Sequence, residues 1–508
     1  MKIKNNLITT IILTLALFQS CYGTDSSRKT ITILHTNDIH AGFVPVSIKS
    51  KEPQGGTRWV GGVQALNHYI SKFRAEQPQL LLLDAGDFMT GNPISDIEVD
   101  SARGGALIHF FNYMKYYGMT LGNHEFDISV ANVRNLIRLC NFPVVSANLF
   151  TEDGALFTEK PYVIFTKADL KIGVIGVIVD DLKDYINMPQ RNQVIVRPAI
   201  PIVDSLAQVI DPLTDLIIVL SHRGLDADYE MASNVGPAVD IIIGGHSHSR
   251  LKEPVRVNGK YIVQAGSNCM NLGHIDVTVA ADTVQQFTYE LIPLENEGVA
   301  PDSSLQKEIA IYENQINAEY DRVIGELVAP WHRNSEGESN IGNFIADCIR
   351  TYCEADFAVI NSGGIRRDLD SGVIKKLDIK NILPFNNSLC KFEMTGANLL
   401  NVIHNNALAA MDKQGGILQV SGLTIAIEKK GDGSIKILKA HVNGKKIDPQ
   451  RIYTGATVDF VLANYEKYLY SKPEKVIDLM IPLTEVVVKA IEQQKKIDSK
   501  IEGRIRMK

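Results

Sequence analysis

Cysteine is scarce: six residues in 508, at positions 21, 140, 269, 348, 353 and 390, with no pair spaced as Cys-x-x-Cys. That excludes a disulfide framework and a zinc knuckle; Cys348 and Cys353 read as packing residues of one helix. A basic surplus is also missing. Lys and Arg number 52 against 58 Asp and Glu, a formal charge of -6, with no cationic run, so a nucleic-acid polymer is excluded as partner while small phosphorylated molecules stay open. There is no internal repeat and no low-complexity stretch. Long apolar runs are absent except near the start, where Leu7 to Phe18 is too short to span a bilayer.

That short run follows Lys2 and Lys4 and reads as the core of a signal peptide, so residues 1–23 are set aside from the fold. Leu17-Phe18-Gln19-Ser20-Cys21 is similar to a bacterial lipoprotein cleavage site, with Phe18 where Leu is usual. Two products stay open: a lipid anchor at Cys21, or cleavage after Gly23 to a soluble protein. Either way the chain is exported, to the periplasm or cell envelope.

The remaining length suffices for two or three domains with cores of their own. Short apolar runs alternate with helical patterns, the mark of α/β layering. Strands are predicted at Thr30 to Leu34, Leu80 to Leu83, Val144 to Ser146, Leu170 to Val177, Leu216 to Leu220, Ile241 to Ile243 and Tyr261 to Gln264. Helices are predicted at Val60 to Ala75, Ala106 to Tyr116, Ser129 to Cys140 and Val203 to Val209. A polar stretch at Asn296 to Ser304 and an amphipathic helix from Leu305 to Arg322 read as a connector. The expected division is a first domain over 29–295, a linker helix over 303–325 and a second α/β domain over 326–490, with a Lys-rich fraying helix from Lys495.

Chemistry enters where predicted strands or apolar turns end. Thr36-Asn37-Asp38-Ile39-His40, Asp84-Ala85-Gly86-Asp87, Gly122-Asn123-His124-Glu125-Phe126-Asp127, Ser221-His222 and Gly244-Gly245-His246-Ser247-His248 each follow one. In an α/β sheet such ends converge on one crevice. The donors are imidazole, carboxylate and amide without thiolate, a set that suits Zn, Mn, Fe or Co. His124 and Asp127, spaced i and i+3, fall on one helical face, where Asp127 can fix the tautomer of His124 and aim its other nitrogen at a substrate.

Asp-x-His, Gly-Asp, Gly-Asn-His-Glu-x-x-Asp, Ser-His and Gly-Gly-His-Ser-His in this order resemble the calcineurin-like metallophosphoesterases. With the second domain, the chain is similar to the exported 5'-nucleotidase family, which includes UDP-sugar hydrolases and cyclic nucleotide phosphodiesterases. The resemblance implies a four-layer α/β/β/α metallophosphoesterase domain followed by a C-terminal α/β substrate-binding domain that swings against it. It implies two divalent metal ions, Zn, Mn or similar. Asp38, His40 and His248 would hold one, Asn123, His222 and His246 the other, and Asp87 would bridge them. Two such ions activate a shared water for in-line attack on a phosphoryl group, and His124, oriented by Asp127, would face the developing charge.

In the second domain, Glu338-Ser339-Asn340-Ile341-Gly342-Asn343 and Asn361-Ser362-Gly363-Gly364-Ile365-Arg366 match two family signatures, with Ser362 where Gly is common. Gly363 and Gly364 permit close backbone approach, and Arg366 offers a planar fork of donors for phosphate. The resemblance makes Asn361, Gly363, Gly364 and Arg366 substrate contacts, and Phe385 and Phe460 a clamp on a base. This chain departs from the family at Leu462-Ala463-Asn464-Tyr465-Glu466-Lys467, where a Gly-Gly-Asp-Gly turn is usual, and at Gly415-Gly416-Ile417-Leu418. A basic residue expected upstream of Asn340 is out of register, Arg333 being nearest. The expected substrates are small phosphoesters, nucleoside 5'-monophosphates first. UDP-sugars or 2',3'-cyclic nucleotides are the alternatives, and an exported binding protein with a structural metal site is the alternative of another class.

Overall fold

The computed structural model describes residues 28–49, 56–186, 191–385, 387–411, 417–430 and 434–507. The targeting segment, with Cys21, and Gly415-Gly416 lie outside them. No helix among the described residues is long and apolar enough to cross a membrane.

The first domain is built on two sheets. Lys29–Thr36 runs parallel to Leu81–Asp84, with Ile33 opposite Leu81 and Thr36 opposite Asp84. Their five-stranded sheet is completed by Gly118–Met119 and by the antiparallel strands Asn271–Val279 and Val284–Pro293. In the second sheet, Leu170–Ile178, Leu216–His222, Ile241–Gly244 and Lys260–Val263 are parallel neighbours. Ile31, Ile33, Leu81 and Leu83 of one sheet share a core with Ile172, Val174, Ile218 and Ile243 of the other. Outside the first sheet pack Val63–Glu76, Gly105–Met114 and Val130–Leu139; outside the second pack Ala199–Ile210 and Leu225–Asn234. The layers therefore run α/β/β/α. Strands buried on both faces read as continuous apolar runs, which is why the parallel ones were visible in sequence.

Two features differ from expectation. Val144 to Ser146 is no strand: Val144 bridges Met119 and Val145 bridges Lys160 singly, and the Ser146 N–H donates to Thr158 Oγ1 at 3.1 Å instead of to a ladder. The antiparallel pair Asn271–Val279 and Val284–Pro293 has an outer face whose polar residues break up the apolar signal.

The connecting helix, Ser303–Tyr320, is capped by Asp302, which accepts from the N–H groups of Ser304 and Leu305. Its Leu305, Ile309, Tyr312 and Ile316 pack into the core of the first domain. The second domain centres on a five-stranded sheet in the order Leu418–Ser421, Phe357–Asn361, Ile452–Val458, Ser388–Thr395, Glu474–Pro482, with Asn340–Cys353 and Leu483–Gln494 in its core. Cys348 and Cys353 share the first of these helices, both buried.

The Lys-rich tail is not a fraying helix. Lys496–Ile497 pairs with Glu326–Leu327, and Ile505–Met507 pairs with Ile425–Ile427. Between them Arg504 grips Asp347 with two nitrogens, at 2.8 and 2.7 Å. The buried Ile497 and Ile505 are what the cationic composition of the tail concealed.

Candidate metal centre and substrate cleft

The carboxyl ends of the parallel strands in both sheets open onto one crevice, and the five motifs meet there. Two glycines allow the close packing. Gly86 is left-handed, at φ 90, and a Cβ on Gly122 would stand 2.2 Å from Asp87 Oδ1. Of the seven predicted metal ligands, Asp38, His40, Asp87, His246 and His248 all have φ between 47 and 72. Left-handed backbone at non-glycine residues is strained and persists only where its surroundings hold it.

Three groups of ligand atoms lie close enough to share a cation: Asp38, His40 and His248; His40, Asp87 and His124; and Asp87, His222 and His246. His40 Nδ1 faces the Met89 and Thr90 carbonyls at 3.2 and 3.0 Å. It therefore carries the ring proton there, and the lone pair of Nε2 points at His248 Nε2, 2.8 Å away. His222 repeats the pattern: Nδ1 donates to the Ala85 carbonyl at 2.7 Å. Its Nε2 has no hydrogen-bond partner and stands 3.0 Å from Asp87 Oδ2. Acceptors that converge on acceptors are what a cation requires, so the residues present fit divalent metal. Asn123 Oδ1 lies 2.9 Å from His246 Nδ1, and the His246 N–H donates to both oxygens of Asp38 at 3.0 Å.

Three of the histidines already have the neutral form that ligation needs. Burial pushes His246 and His248 down to about 3 and holds His40 well below the usual imidazole range, which keeps these ligands neutral. Burial raises Asp38 to about 7. At Asp87 burial also raises the pKa, but His222 and His124 overcome it and the carboxyl stays ionised. Burial lowers the pKa of His222, but Asp87, Asp38 and the Ala85 carbonyl together more than offset it and bring it up to about 10.

Beside this cluster, His124 Nδ1 donates to Asp127 Oδ2 at 2.8 Å, and its Nε2 lies 3.9 Å from Asp87 Oδ2. Burial lowers the pKa of His124, but Asp127 and Asp87 more than offset that and raise it. His124 is thus anchored through Nδ1 and turns its Nε2 toward Asp87 and the clustered ligand atoms. Phe385 of the second domain stacks on its ring at 5.5 Å between centroids, and the Arg366 guanidinium sits 5.7 Å from the centre of Phe385. Asn361 bonds the Tyr468 hydroxyl and leaves its buried Oδ1 without a partner. A Cβ on Gly363 would meet only Asn361, at 3.8 Å. Gly364 is buried against the same side chain, and neither glycine is left-handed. Phe460 packs on Tyr468 at 6.1 Å. Arg333 donates to the Arg366 carbonyl at 2.7 Å and to Asp368 at 3.0 Å, so it braces that loop.

The altered segment is folded as two short helices, Asp459–Ala463 and Tyr465–Tyr468, and it ties the domains together. Arg191 of the first domain donates to the Ala463 carbonyl at 2.7 Å and to Asn464 Oδ1 at 2.6 Å. The Lys467 ammonium lies 4.9 Å from the centre of the Tyr185 ring, and Tyr185 meets His246 edge-on at 4.8 Å. Arg191→Ala deletes both hydrogen bonds and is expected to increase the maximum dimension measured by small-angle scattering. An unchanged scattering curve would show that the other contacts hold the domains without it.

Glu125 stands inside the motif, yet its sequence position suggested no role. Wholly buried, it accepts from the N–H groups of Gly122, Asp87, Phe88 and Met89 at 2.6, 3.1, 3.0 and 3.2 Å. A carboxylate between His124 and Phe126 carried no periodic signal of burial, and only its four backbone partners explain it.

Parallel strand ends crowded with imidazole and carboxylate, next to an arginine presented by a second domain, define a metal-dependent phosphoesterase. The sequence pattern of the calcineurin-like phosphoesterases matches residues 31–250, and that of the 5'-nucleotidase C-terminal domain matches residues 323–470. Protein UshA of Yersinia enterocolitica is 28% identical over 487 residues, covering 85% of this chain and 84% of its own. The 5'-nucleotidase of Bos taurus is 26% identical over 529 residues, covering 94% and 90%. Among solved structures, the 5'-nucleotidase precursor of Thermus thermophilus superposes with a TM-score of 0.83 at 24% identity, over 94% of this chain and 99% of that one. The sulfate thiohydrolase SoxB of Thermus thermophilus gives 0.79 at 16%, over 94% and 96%. The chain belongs to the calcineurin-like phosphoesterases that carry a 5'-nucleotidase C-terminal domain, and it is a metal-dependent hydrolase.

Proposed function

We propose that this hydrolase removes phosphate from nucleoside 5'-monophosphates after export, using two divalent cations, Zn or Mn. Asp38, His40 and His248 would hold one cation and Asn123, His222 and His246 the other, with Asp87 available to both. Bound there, such a pair supplies an activated water and neutralises phosphoryl charge. The chain's own residues do the rest. Arg366 binds the phosphate with a planar fork; Asn361, Gly363 and Gly364 form the loop beside it; Phe385 and Phe460 bracket the base; His124, held by Asp127, faces the group whose charge changes. The observation that carries this reading is the stack of Phe385 on His124 with Arg366 alongside, which brings the second domain's anchors to the catalytic histidine.

The alternative is a UDP-sugar or a 2',3'-cyclic nucleotide, bound without a strict reading of the ribose. It is favoured by the helical segment from Leu462 to Lys467, whose Asn464 is engaged by Arg191 rather than free for a sugar. The test is hydrolysis by residues 24–508 with Mn or Zn of AMP, UMP, UDP-glucose, 2',3'-cyclic AMP and a plain sugar phosphate, read as inorganic phosphate from the monoesters and as nucleoside monophosphate from the other two. The monophosphates are expected to turn over fastest, and chelation to abolish all turnover until metal is restored. Equal release from the sugar phosphate would discard the nucleotidase reading. Metal-replete protein inert on every substrate would leave only a binding protein.

A further inference from the structure

Thr90 stands out for its backbone. It is β-branched, nearly buried and left-handed, at φ 62, a conformation that is a genuine outlier for such a side chain. Strain of this kind points to a job done by the geometry it enforces. Neighbours hold it in place: its N–H donates to Ser95 Oγ at 3.0 Å. In this conformation its two remaining polar groups point to two different parts of the centre. Its carbonyl lies 3.0 Å from His40 Nδ1, and its hydroxyl donates to Asp127 Oδ2 at 2.6 Å, the same oxygen that takes His124 Nδ1–H.

We propose that Thr90 is a positioning residue that sets His124 relative to the metal-holding histidine His40, through its hydroxyl on Asp127 and its carbonyl on His40. The two rings it governs are 5.1 Å apart between centroids. Asp127 is partly exposed and reaches His124 from one side; without a second donor its carboxylate can turn about its terminal torsion, which is broad and roughly two-fold. The Thr90 hydroxyl removes that freedom and leaves one oxygen shared between two donors. Tolerance for misplacement at a reacting centre is small, since displacements near 1 Å cost about 10²-fold in rate. The inference rests on the phosphohydrolase reading for its kinetic consequence and on geometry alone for its structural one.

Thr90→Val keeps the shape and the β-branching and removes only the donor, while Thr90→Ser keeps the donor. Thr90→Val is expected to lower kcat about tenfold to a hundredfold, the effect of losing one hydrogen bond to a charged group, with KM and bound metal unchanged. Thr90→Ser should stay within about threefold of the parent, since it retains that bond. In an Asp127→Ala background Thr90→Val should cost nothing further, because the path it acts through is gone. The independent readout is the proton resonance of His124 Nδ1–H in histidine-labelled protein, expected to shift in Thr90→Val and return in Thr90→Ser. Additive losses in the Asp127→Ala background, or a resonance unmoved by Thr90→Val, overturn the proposal. If the parent hydrolyses no phosphoester, the functional reading fails and the resonance still decides on Thr90.

Discussion

His124→Ala is expected to lower kcat by about 10²–10⁴-fold, the range for a positioned acid or electrostatic contributor, while bound metal and the fold are retained. The structure explains why the loss should fall on kcat. The His124 side chain is hydrogen bonded to Asp127 and faces Asp87 at 3.9 Å, so truncation removes a cation next to the cluster and leaves the seven assigned ligands in place. Its neighbour Phe385 loses a stacking partner, which predicts a modest change in KM. His124→Gln, of similar length, should recover little, because a neutral amide cannot supply a cation or transfer a proton. Phosphate release at saturating substrate, with metal content measured on the same samples, decides the matter. Unchanged kcat with full metal would remove His124 from the catalytic set and leave Arg366 as the main positive group facing the phosphate.

Much of the first domain was legible because its parallel strands are buried on both faces. Ile241 to Ile243 and Leu216 to Leu220 read as unbroken apolar runs, and each ran into a motif. The antiparallel strands Asn271–Val279 and Val284–Pro293 were not legible, since alternation with exposed polar residues dilutes their signal. At the crevice, residue types with metal chemistry could be picked out one by one. What sequence could not show was which groups hold them. Thr90 and Glu125 act through backbone contacts and through one shared carboxylate oxygen, and such contacts leave no periodic trace. In the second domain the departure at Leu462 to Lys467 was visible, but its consequence was not. The contact with Arg191 joins residues separated by more than half the chain, and only the docked domains reveal it. The tail failed for a related reason: two buried isoleucines among cationic residues decide its pairing, and composition pointed the other way.

Glu125→Ala should be the more damaging substitution for the fold around the metals, although Glu125 touches neither substrate nor cation. Its two oxygens satisfy four buried N–H groups, three of them from the turn that carries Asp87 and one from Gly122 before Asn123. A buried N–H left without an acceptor costs about 1–3 kcal/mol. Water can enter the space vacated by the carboxylate and satisfy part of the set, so the net destabilisation is expected at about 3–5 kcal/mol, the upper end for single substitutions. Glu125→Gln should fall between, because its amide keeps one acceptor oxygen and turns donors against donors with the other group. The turn it releases carries Asp87, so metal affinity should fall about 10–100-fold, as when a group that orients a ligand is lost. Urea unfolding gives the stability and competition with a chelator gives the affinity. If Glu125→Gln lost stability but bound metal as tightly as the parent, the four contacts would serve folding alone, and the left-handed Asp87 would have to be held in place by His222 and the His124 N–H.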